Sequence, residues 1–375
     1  MKIYADHAAT TKLDKLAFKA MKPYLLEVFG NASQLYSFAR SPKKALKEAR
    51  ETIAECIGAL PEEIYFTSGG TESDNWAIKG SAFSDAEKRA TITSSFEHHA
   101  VLRSCKAIEK LGYPVVYLPP NGEGIISSER LKAVITDRTR LVSIMYANNE
   151  IGTIQPIRSL ADIAHSYGSL FHTDAVQAVG HISINVTDLG IDMLSASAHK
   201  FNGPKGIGFL YIKKGTEMIP FVDGGAQEMK LRAGSENVAG IVGMAIALKR
   251  SCEEMSYRTE HLRYLEEVML NRLAQTNLDF RMNGGNNHIP GNISLSFKNA
   301  DGEALFHQLD FMGICISTGS ACNSDSTELS HVLKAICLPA EYAFGTIRIS
   351  LGYENTEDEV MIIADAIKKI LMRQK

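Results

Sequence analysis

Short β-rich runs alternate with helical patterns along the middle of the chain, from about residue 60 to 212. The segments at 99–112 and 159–168 carry apolar residues at helical spacing and end in glycine, which is typical of amphipathic helices. The alternation predicts an α/β fold with a mainly parallel sheet that is covered by helices. The predicted strands of this sheet are IYFT (64–67), ATITSS (90–95), VVYLP (115–119), RLVSIMYAN (140–148), SLFHTDA (169–175), MLSASA (193–198) and GIGFLYI (206–212).

The pattern changes after about residue 256, where a long charged helix is predicted, and a closing helix is predicted from about residue 356. These elements indicate a second, smaller α+β domain. We therefore assign 12–255 to a large domain, and 1–11 together with 256–375 to a small one. The cleft between the two domains is the expected site. The strands predicted for the small domain are ISLSF (293–297), ICIST (314–318) and TIRISL (346–351).

The 375 residues are 45% hydrophobic and 22% charged, with a formal net charge of −3. Such a chain buries a large core and lacks the basic excess typical of direct binding to nucleic acid or to an anionic membrane. Its longest apolar run, at 238–248, is too short to cross a bilayer, and we expect a cytoplasmic protein. The cysteines are scattered without a C-x-x-C pair, which indicates neither a metal site nor a disulfide framework. They are Cys56, Cys105, Cys252, Cys315, Cys322 and Cys337.

A run of small and polar residues, at 68–72, follows the first predicted strand and leads into a helix predicted to start near Thr71. Free backbone N–H groups and the helix dipole favour an anion at such a place. Thr71 together with Asp74 also fits an ordinary helix start. On the residues alone, both interpretations stand.

Two charged residues follow predicted buried strands, Asp174 and Lys200. The small and apolar neighbours of Lys200 offer its ammonium group no solvated face, so this side chain lies either in a loop or in a pocket. Pyridoxal phosphate requires a lysine for a Schiff base, an acid that keeps the pyridine nitrogen protonated, and a phosphate seat at a helix N-terminus. Lys200, Asp174 and the run at 68–72 supply this set. The rival, Lys205, lies between a proline and a glycine and fits a turn.

A series of motifs extends over nearly the whole chain, and in this order it resembles the successive motifs of the NifS/IscS-type cysteine desulfurases of the class-V aminotransferase family. The resemblance implies a homodimeric pyridoxal-phosphate enzyme of fold-type I, with a mainly parallel seven-stranded sheet in the large domain. The motifs are YADHAATT, TSGGTESDN, EHHAV, NNEIG, TDAVQ, SASAHKFNGPKG, RAGSEN, STGSAC and IRISLG.

The resemblance implies a role for each matching residue around the cofactor. Lys200 would form the Schiff base, and Asp174 would pair with the pyridine nitrogen. Gln177 would hydrogen-bond the ring hydroxyl with help from Asn149, while His98 would stack on the ring and assist proton transfer. The residues implied to hold the phosphate are Gly70, Thr71, Ser197, His199 and, from a second subunit, Ser235.

The same resemblance places the substrate carboxylate on Arg348, whose planar guanidinium can donate two parallel hydrogen bonds, with Asn31 nearby. Cys322 lies in a polar stretch, GSACNSDSTELS (319–330), whereas Cys315 and Cys337 lie among apolar neighbours, as structural cysteines do. By resemblance, Cys322 attacks the sulfur of the substrate and becomes a persulfide. A long catalytic loop would then carry this sulfur to an acceptor.

Two segments depart from the family pattern. The usual Asn-Pro-Ser-Ser-x-His reads NASQLY at 31–36, so a proline and a histidine are replaced. Ser235 stands where threonine is usual, which keeps the hydroxyl group. Neither change removes a residue to which the resemblance assigns chemistry.

The implied activity is the conversion of L-cysteine to L-alanine with transfer of sulfur to Cys322 and then to an acceptor protein. The acceptor would be an iron–sulfur scaffold, a tRNA-thiolation enzyme or a DNA-phosphorothioation enzyme. The alternatives are a selenocysteine lyase, an aminotransferase of the same fold, and a catalytically silent partner in a sulfur-transfer complex.

The choice between Lys200 and Lys205 is testable on the purified protein. If Lys200 holds the cofactor, borohydride will fix a pyridoxyl group on the peptide that contains Lys200, because reduction makes the Schiff base permanent. Peptide mass spectrometry checks the position. Label on Lys205 would overturn the assignment, and a Lys205→Arg variant, which should still be labelled, is the control.

Overall fold

The computed structural model describes residues 2–318 and 329–373. Its strands are β1 (Ile3–Tyr4), β2 (Ile64–Thr67), β3 (Ala90–Ser94), β4 (Val115–Leu118), β5 (Thr139–Ser143), β6 (Leu170–Asp174), β7 (Met193–Ser197), β8 (Gly208–Ile212), β9 (Phe280–Met282), β10 (Asn292–Phe297), β11 (Ile314–Cys315), β12 (Ser317–Thr318) and β13 (Thr346–Ser350). Its α-helices are α1 (Lys15–Leu26), α2 (Arg40–Ile57), α3 (Gly70–Ala82), α4 (His99–Lys110), α5 (Ser128–Lys132), α6 (Ile157–Ser166), α7 (Val238–Glu253), α8 (Met255–Ala274), α9 (Gly302–Phe311), α10 (His331–Ala335), α11 (Ala340–Ala343) and α12 (Glu357–Arg373).

The large sheet has seven strands in the order β2-β8-β7-β6-β5-β3-β4. Strands β7, β6, β5, β3 and β4 are paired in parallel, and β8 runs antiparallel to both of its neighbours. The prediction of an α/β fold with a mainly parallel sheet is confirmed. Because β7 and β8 are antiparallel, a short connection joins them, and its residues 198–207 stay at the end of the sheet.

Strand β5 is shorter than the strand predicted at 140–148 and ends at Ser143. Beyond Ser143 the chain still forms backbone hydrogen bonds with β6. There the N–H groups of Ile144 and Tyr146 donate to the carbonyls of His172 and Asp174, at 3.1 and 2.8 Å. This course carries the NNEIG motif over the carboxyl ends of the parallel strands.

A second, four-stranded sheet has the order β12-β13-β10-β9, and β1 pairs separately with β11. The strand predicted at 314–318 is therefore wrong in one respect: it is two short strands with different partners, interrupted at Ile316. The core under these strands contains apolar residues of α8, α9 and α12. Val332 and Leu333 of α10 pack instead on the core of the large sheet. The domain boundaries proposed from the sequence stay a prediction.

Two cysteines expected to be structural differ in their exposure. Cys315 is half-buried, but Cys337 is exposed, with a φ of 55° just beyond α10. Its apolar sequence neighbours turn inward while the thiol faces solvent, so the expectation of a buried Cys337 is wrong. Among the described residues, no helix combines the length and apolar character needed to span a bilayer.

The N-terminal segment links the two sheets. Asp6 bridges to Ser350 at the end of β13, and the N–H of Ala8 donates to the Ser350 hydroxyl at 2.9 Å. Farther along, the N–H of Thr11 donates to the carbonyl of His199 at 2.9 Å. The segment therefore lies between the small sheet and the connection that follows β7.

Candidate active site

One cavity of about 360 Å³ lies where the carboxyl ends of the large sheet meet β13 and the N-terminal segment. It brings together most of the residues predicted from the sequence. Those that line it are Gly70, Thr71, His98, Asn149, Asp174, Gln177, Ser197, His199, Lys200 and Arg348. Other lining residues were not predicted, namely Ala8, Ala9, Asp74, Met145, Ala147, Val176 and Ser317.

Lys200 ends a short 3-10 helix, Ala198–Lys200, directly after β7. Its Nζ donates to the carbonyl oxygens of Ala8 and Ala9, at 2.6 and 2.8 Å. The side chain of His181 supports the backbone here, with Nε2 3.0 Å from the Lys200 carbonyl, and burial lowers the pKa of His181 to about 4, so the ring is neutral and donates. Lys205 is exposed in a turn, as predicted. Of the two lysines, Lys200 is the one in the cavity.

Asp174 ends β6, and its Oδ1 accepts a 2.9 Å hydrogen bond from the N–H of Val176. Burial raises the pKa of the Asp174 carboxyl, while the nearby His98, this N–H group and Lys200 lower it. Gln177 lies one turn farther on and donates from Nε2 to the Ala8 carbonyl at 3.0 Å. Carboxyl, amide and amine thus face one space.

His98 is the N-cap residue of α4, and its Nδ1 accepts a hydrogen bond from the N–H of Ala100 at 3.2 Å. A ring nitrogen that accepts a hydrogen bond carries no proton, so the neutral imidazole holds its proton on Nε2. The ring therefore presents an N–H donor from its other edge. The hydrogen bond from Ala100 therefore fixes the orientation of this ring at the start of α4.

The predicted anion seat is the start of α3. The N-cap is Gly69, at φ 146°, and no side chain caps the helix, so the ordinary start with Thr71 and Asp74 is not what forms. A Cβ at Gly70 would lie 2.5 Å from Val176 Cγ2, which is why glycine is needed at this close approach. Uncapped N–H groups at a helix start attract an anion.

His199 and Ser197 flank this seat from the end of β7. The Nδ1 of His199 lies 3.0 Å from the hydroxyl of Thr10. Burial, with smaller contributions from Lys200 and Lys205, lowers the pKa of His199 to about 4, so the ring is neutral near pH 7. A neutral ring at this position can donate a hydrogen bond to an anion but adds no positive charge of its own.

Arg348 lies on β13, inside the small sheet rather than on an edge strand, and is only 7% exposed. Its Nη2 forms a 2.7 Å ion pair with Asp6, and its Nη1 donates to the carbonyl of Asn149 at 2.9 Å. Its Nε is buried without a hydrogen-bond partner among the described residues. A guanidinium fixed in this way beside the cavity keeps donor capacity for a carboxylate.

Two predicted residues do not line the cavity, and a third, Cys322, lies outside the described residues. Asn31 is exposed, and its Oδ1 accepts from the N–H of Ser33 at 2.9 Å rather than facing the cavity. Ser235 is also exposed and does not line the cavity of its own chain. These two positions make no contribution to the site within one copy of the chain.

No motif in the sequence indicates the contacts at Ser330 and His331, just beyond the segment that carries Cys322. The hydroxyl of Ser330 donates to Glu150 Oε2 at 2.5 Å, and Nε2 of His331 lies 2.9 Å from the Glu97 carbonyl. Burial raises the pKa of Glu150 to about 7. These contacts fix the chain next to Asn149, at the edge of the cavity.

A family model described as aminotransferase class-V matches residues 3–363. The chain belongs to this family. A relative named cysteine desulfurase IscS, from Dictyoglomus turgidum, is 50% identical over 371 residues, which are 98% of this chain and 94% of that protein. A solved structure titled NIFS-LIKE PROTEIN has a TM-score of 0.94 at 37% identity and covers 100% of both chains. Another, titled SspA in complex with cysteine, has a TM-score of 0.84 at 38% identity and covers 95% of this chain and 100% of that chain.

The resemblance to NifS/IscS-type desulfurases is thus confirmed, as is pyridoxal phosphate as the cofactor of this family. The cavity fits this group on its own geometry. The residues at a helix start without a side-chain cap line it, a Cβ at position 70 would clash with Val176, and an amine and a carboxylate line it as well. Such a donor set matches a phosphate, an aldehyde and a ring nitrogen.

The fixed guanidinium leads to a prediction for Arg348→Lys. Lysine keeps the charge but loses the planar pair of donors, so the KM for L-cysteine should rise about 10- to 100-fold while cofactor absorption persists. Steady-state kinetics and the visible spectrum check both parts. An unchanged KM would show that the carboxylate binds elsewhere. Arg281→Lys, an exposed position on β9 of the same sheet, is the matched control and should change neither.

Proposed function

We propose that this chain converts L-cysteine to L-alanine, moves the sulfur to its own thiol at Cys322 and passes it to an acceptor protein. The observation that best supports this function is the convergence of Lys200, Asp174 and Arg348 on one cavity. They supply an amine for the cofactor aldehyde, an acid for its ring nitrogen and a cation for an amino-acid carboxylate. The relative at 50% identity that is named cysteine desulfurase supports the same reaction.

Each of the cavity residues orients or binds a different reacting group. Pyridoxal phosphate, when bound, supplies an electron sink for negative charge at the amino-acid Cα. The Ala8 and Ala9 carbonyls orient the Lys200 amine, and the Val176 N–H orients the Asp174 carboxylate. Arg348 fixes the carboxylate of the substrate, which sets the direction in which its thiol points. His98 offers the proton on Nε2, because Nδ1 is engaged by the helix start.

Cys322 supplies the thiolate in this proposal. The flanks of its segment adjoin the cavity, since Ser317 lines it and Ser330 is bonded to Glu150, beside Asn149. Attack on the substrate sulfur breaks the C–S bond and forms an S–S bond, while a proton adds to the carbon that loses sulfur. L-cysteine and the enzyme thiol then give L-alanine and a persulfide, and the step needs no external oxidant.

We further propose a two-fold homodimer. Exposed apolar side chains cluster between residues 16 and 38, among them Phe29 at 70% and Leu35 at 98% exposure. The hydroxyl of Ser33 lies 3.1 Å from Glu236 Oε1, so this apolar segment adjoins the loop that carries Ser235. A second copy that covers the apolar segment would bring the loop with Ser235 to the interface, which the implied role of Ser235 requires.

The sulfur acceptor is proposed to be a protein of iron–sulfur cluster assembly, tRNA thiolation or DNA phosphorothioation. A persulfide loses its outer sulfur to an attacking thiol, so the recipient presents a cysteine. The net charge of −3 gives no electrostatic attraction to nucleic acid, which favours a protein thiol over direct transfer.

The sulfur step is tested with Cys322→Ser. A hydroxyl stays protonated near neutral pH and attacks sulfur poorly, so this variant should change its visible spectrum on adding L-cysteine yet release almost no alanine. Cys337→Ser removes an exposed thiol and is the matched control, with alanine release expected at the parent rate. Alanine and sulfide assays check both variants.

Mass spectrometry of the parent protein without reductant should find one added sulfur on the peptide that contains Cys322. Normal alanine release by Cys322→Ser would remove this thiol from the reaction. If Cys322→Ser releases selenide from selenocysteine but no sulfide from cysteine, this result would support activity as a selenocysteine lyase.

A further inference from the structure

Asp74 is a lining residue of the cavity to which the resemblance assigns no role. It lies in the first turns of α3 and is 1% exposed. Its carboxylate, the His98 ring and the Asp174 carboxylate each place one atom within 4.8 Å of the others. The cavity therefore contains a second buried carboxyl group next to the one that is implied to pair with the cofactor ring.

Asp74 has no cation of its own. None of the described Lys or Arg side chains forms an ion pair with it, and its nearest basic neighbour is Nε2 of His172, at 3.8 Å from Oδ1. His172 bonds Ser143 through Nδ1 at 2.8 Å and Ser195 through Nε2 at 3.0 Å. Burial lowers the pKa of His172 to about 3, so this ring is neutral.

The two carboxyl groups have unequal support. Asp174 accepts from the Val176 N–H and lies near the positive charge of Lys200. Asp74 Oδ1 is buried and has no hydrogen-bond partner in the described part of the chain. Ionising both of two buried carboxyl groups at this separation carries a large free-energy cost. The negative charge therefore stays on the carboxyl group that has the hydrogen bond and the nearby cation, which is Asp174. Desolvation, followed by repulsion from Asp174, raises the pKa of Asp74 well above its usual value, and a hydrogen bond from the Ser195 side chain lowers it by a smaller amount.

We propose that Asp74 carries a proton and serves as a neutral positioning residue that keeps Asp174 the one ionised carboxyl group of the cavity. The proposal rests on the role proposed for Asp174 above. A protonated Asp74 offers an O–H donor in the space that it shares with Asp174 and His98, and it adds no charge that would compete for the ring nitrogen. A divalent-cation site made of these three residues is the competing interpretation, because it would require Asp74 to be ionised.

The titratable groups around Asp74 all enter its pH dependence. Burial raises the pKa of Glu97 to about 8, so this neighbour is also largely neutral near pH 7. The groups that face Asp74 from the packed elements are Asp174 and His172 on β6, Glu97 and His98 before α4, Cys105 on α4, and Lys200 beyond Asp174.

The first test is the stability of the full-length protein without cofactor, for the parent and for Asp74→Asn. A carboxyl whose pKa is raised by folding binds its proton more tightly in the folded state, so stability falls as pH rises above the unfolded pKa. The amide cannot ionise and escapes this loss. The melting temperature of the variant minus that of the parent should therefore grow between about pH 5 and pH 8. A difference that shrinks with pH would show an ionised, stabilising Asp74 and overturn the proposal.

The second test is cofactor affinity, with Asp74→Asn, Asp74→Ala and Asp174→Asn compared. The amide of Asp74→Asn resembles a neutral carboxyl group that donates a hydrogen bond, so the Kd of this variant for pyridoxal phosphate should stay within about 3-fold of the parent. Asp174→Asn should instead weaken binding of the cofactor. It should also lower the protonated fraction of the ring nitrogen, which nitrogen-15 NMR measures. An equal loss of cofactor affinity in Asp74→Asn and Asp174→Asn would overturn the proposal. It would also be overturned if the parent protein bound zinc and Asp74→Asn did not.

These readouts separate the two proposals. If Asp174→Asn leaves the ring protonated, the role of Asp174 fails, and the melting comparison still decides whether Asp74 holds a proton. If Asp74→Ala does not fold, the Asn variant alone carries the test, because it keeps the shape of the side chain.

Discussion

The carbonyl oxygen of Ala8 is the point on which the arrangement of the site depends. It accepts from Lys200 Nζ at 2.6 Å and from Gln177 Nε2 at 3.0 Å, so one backbone atom orients side chains from two connections of the large sheet. The N–H of the same residue donates to Ser350, at the end of β13. A shift of the small sheet relative to the large one would therefore move the reactive amine as well. This coupling explains why the cavity forms only where both sheets and the N-terminal segment meet.

Charge in the cavity is arranged by burial as much as by contact. Positive charge comes from Lys200, from Arg348 and from the start of α3, and the rings of His181 and His199 are kept neutral by burial. The negative side is restricted in the same way, because the buried carboxyl groups near Asp174 are driven towards their protonated forms. In the proposed reaction, one amine, one guanidinium and one carboxylate would remain to meet an aldehyde, a substrate carboxylate and a ring nitrogen.

The sequence predicted the sheet and the lining side chains well, because strand patterns and motifs are local signals. It could not predict the Ala8 and Ala9 carbonyls, since backbone acceptors have no residue type. Asp74 was interpreted as part of a helix start, and its burial beside Asp174 follows only from packing. The break between β11 and β12 and the exposure of Cys337 also depend on tertiary contacts. Asn31 and Ser235 lie outside the cavity of one chain, and a partner subunit would have to supply their context.

A single turnover shows whether the substrate sulfur moves to a thiol of the protein as L-alanine forms. Cofactor-loaded protein is mixed with less than one equivalent of L-cysteine, quenched in acid, and assayed for alanine, pyruvate and protein-bound sulfur. Sulfur transfer to the enzyme thiol should give equal amounts of alanine and bound sulfur, with no pyruvate. Pyruvate as the main product, or alanine with free sulfide and no sulfur on the protein, would contradict it.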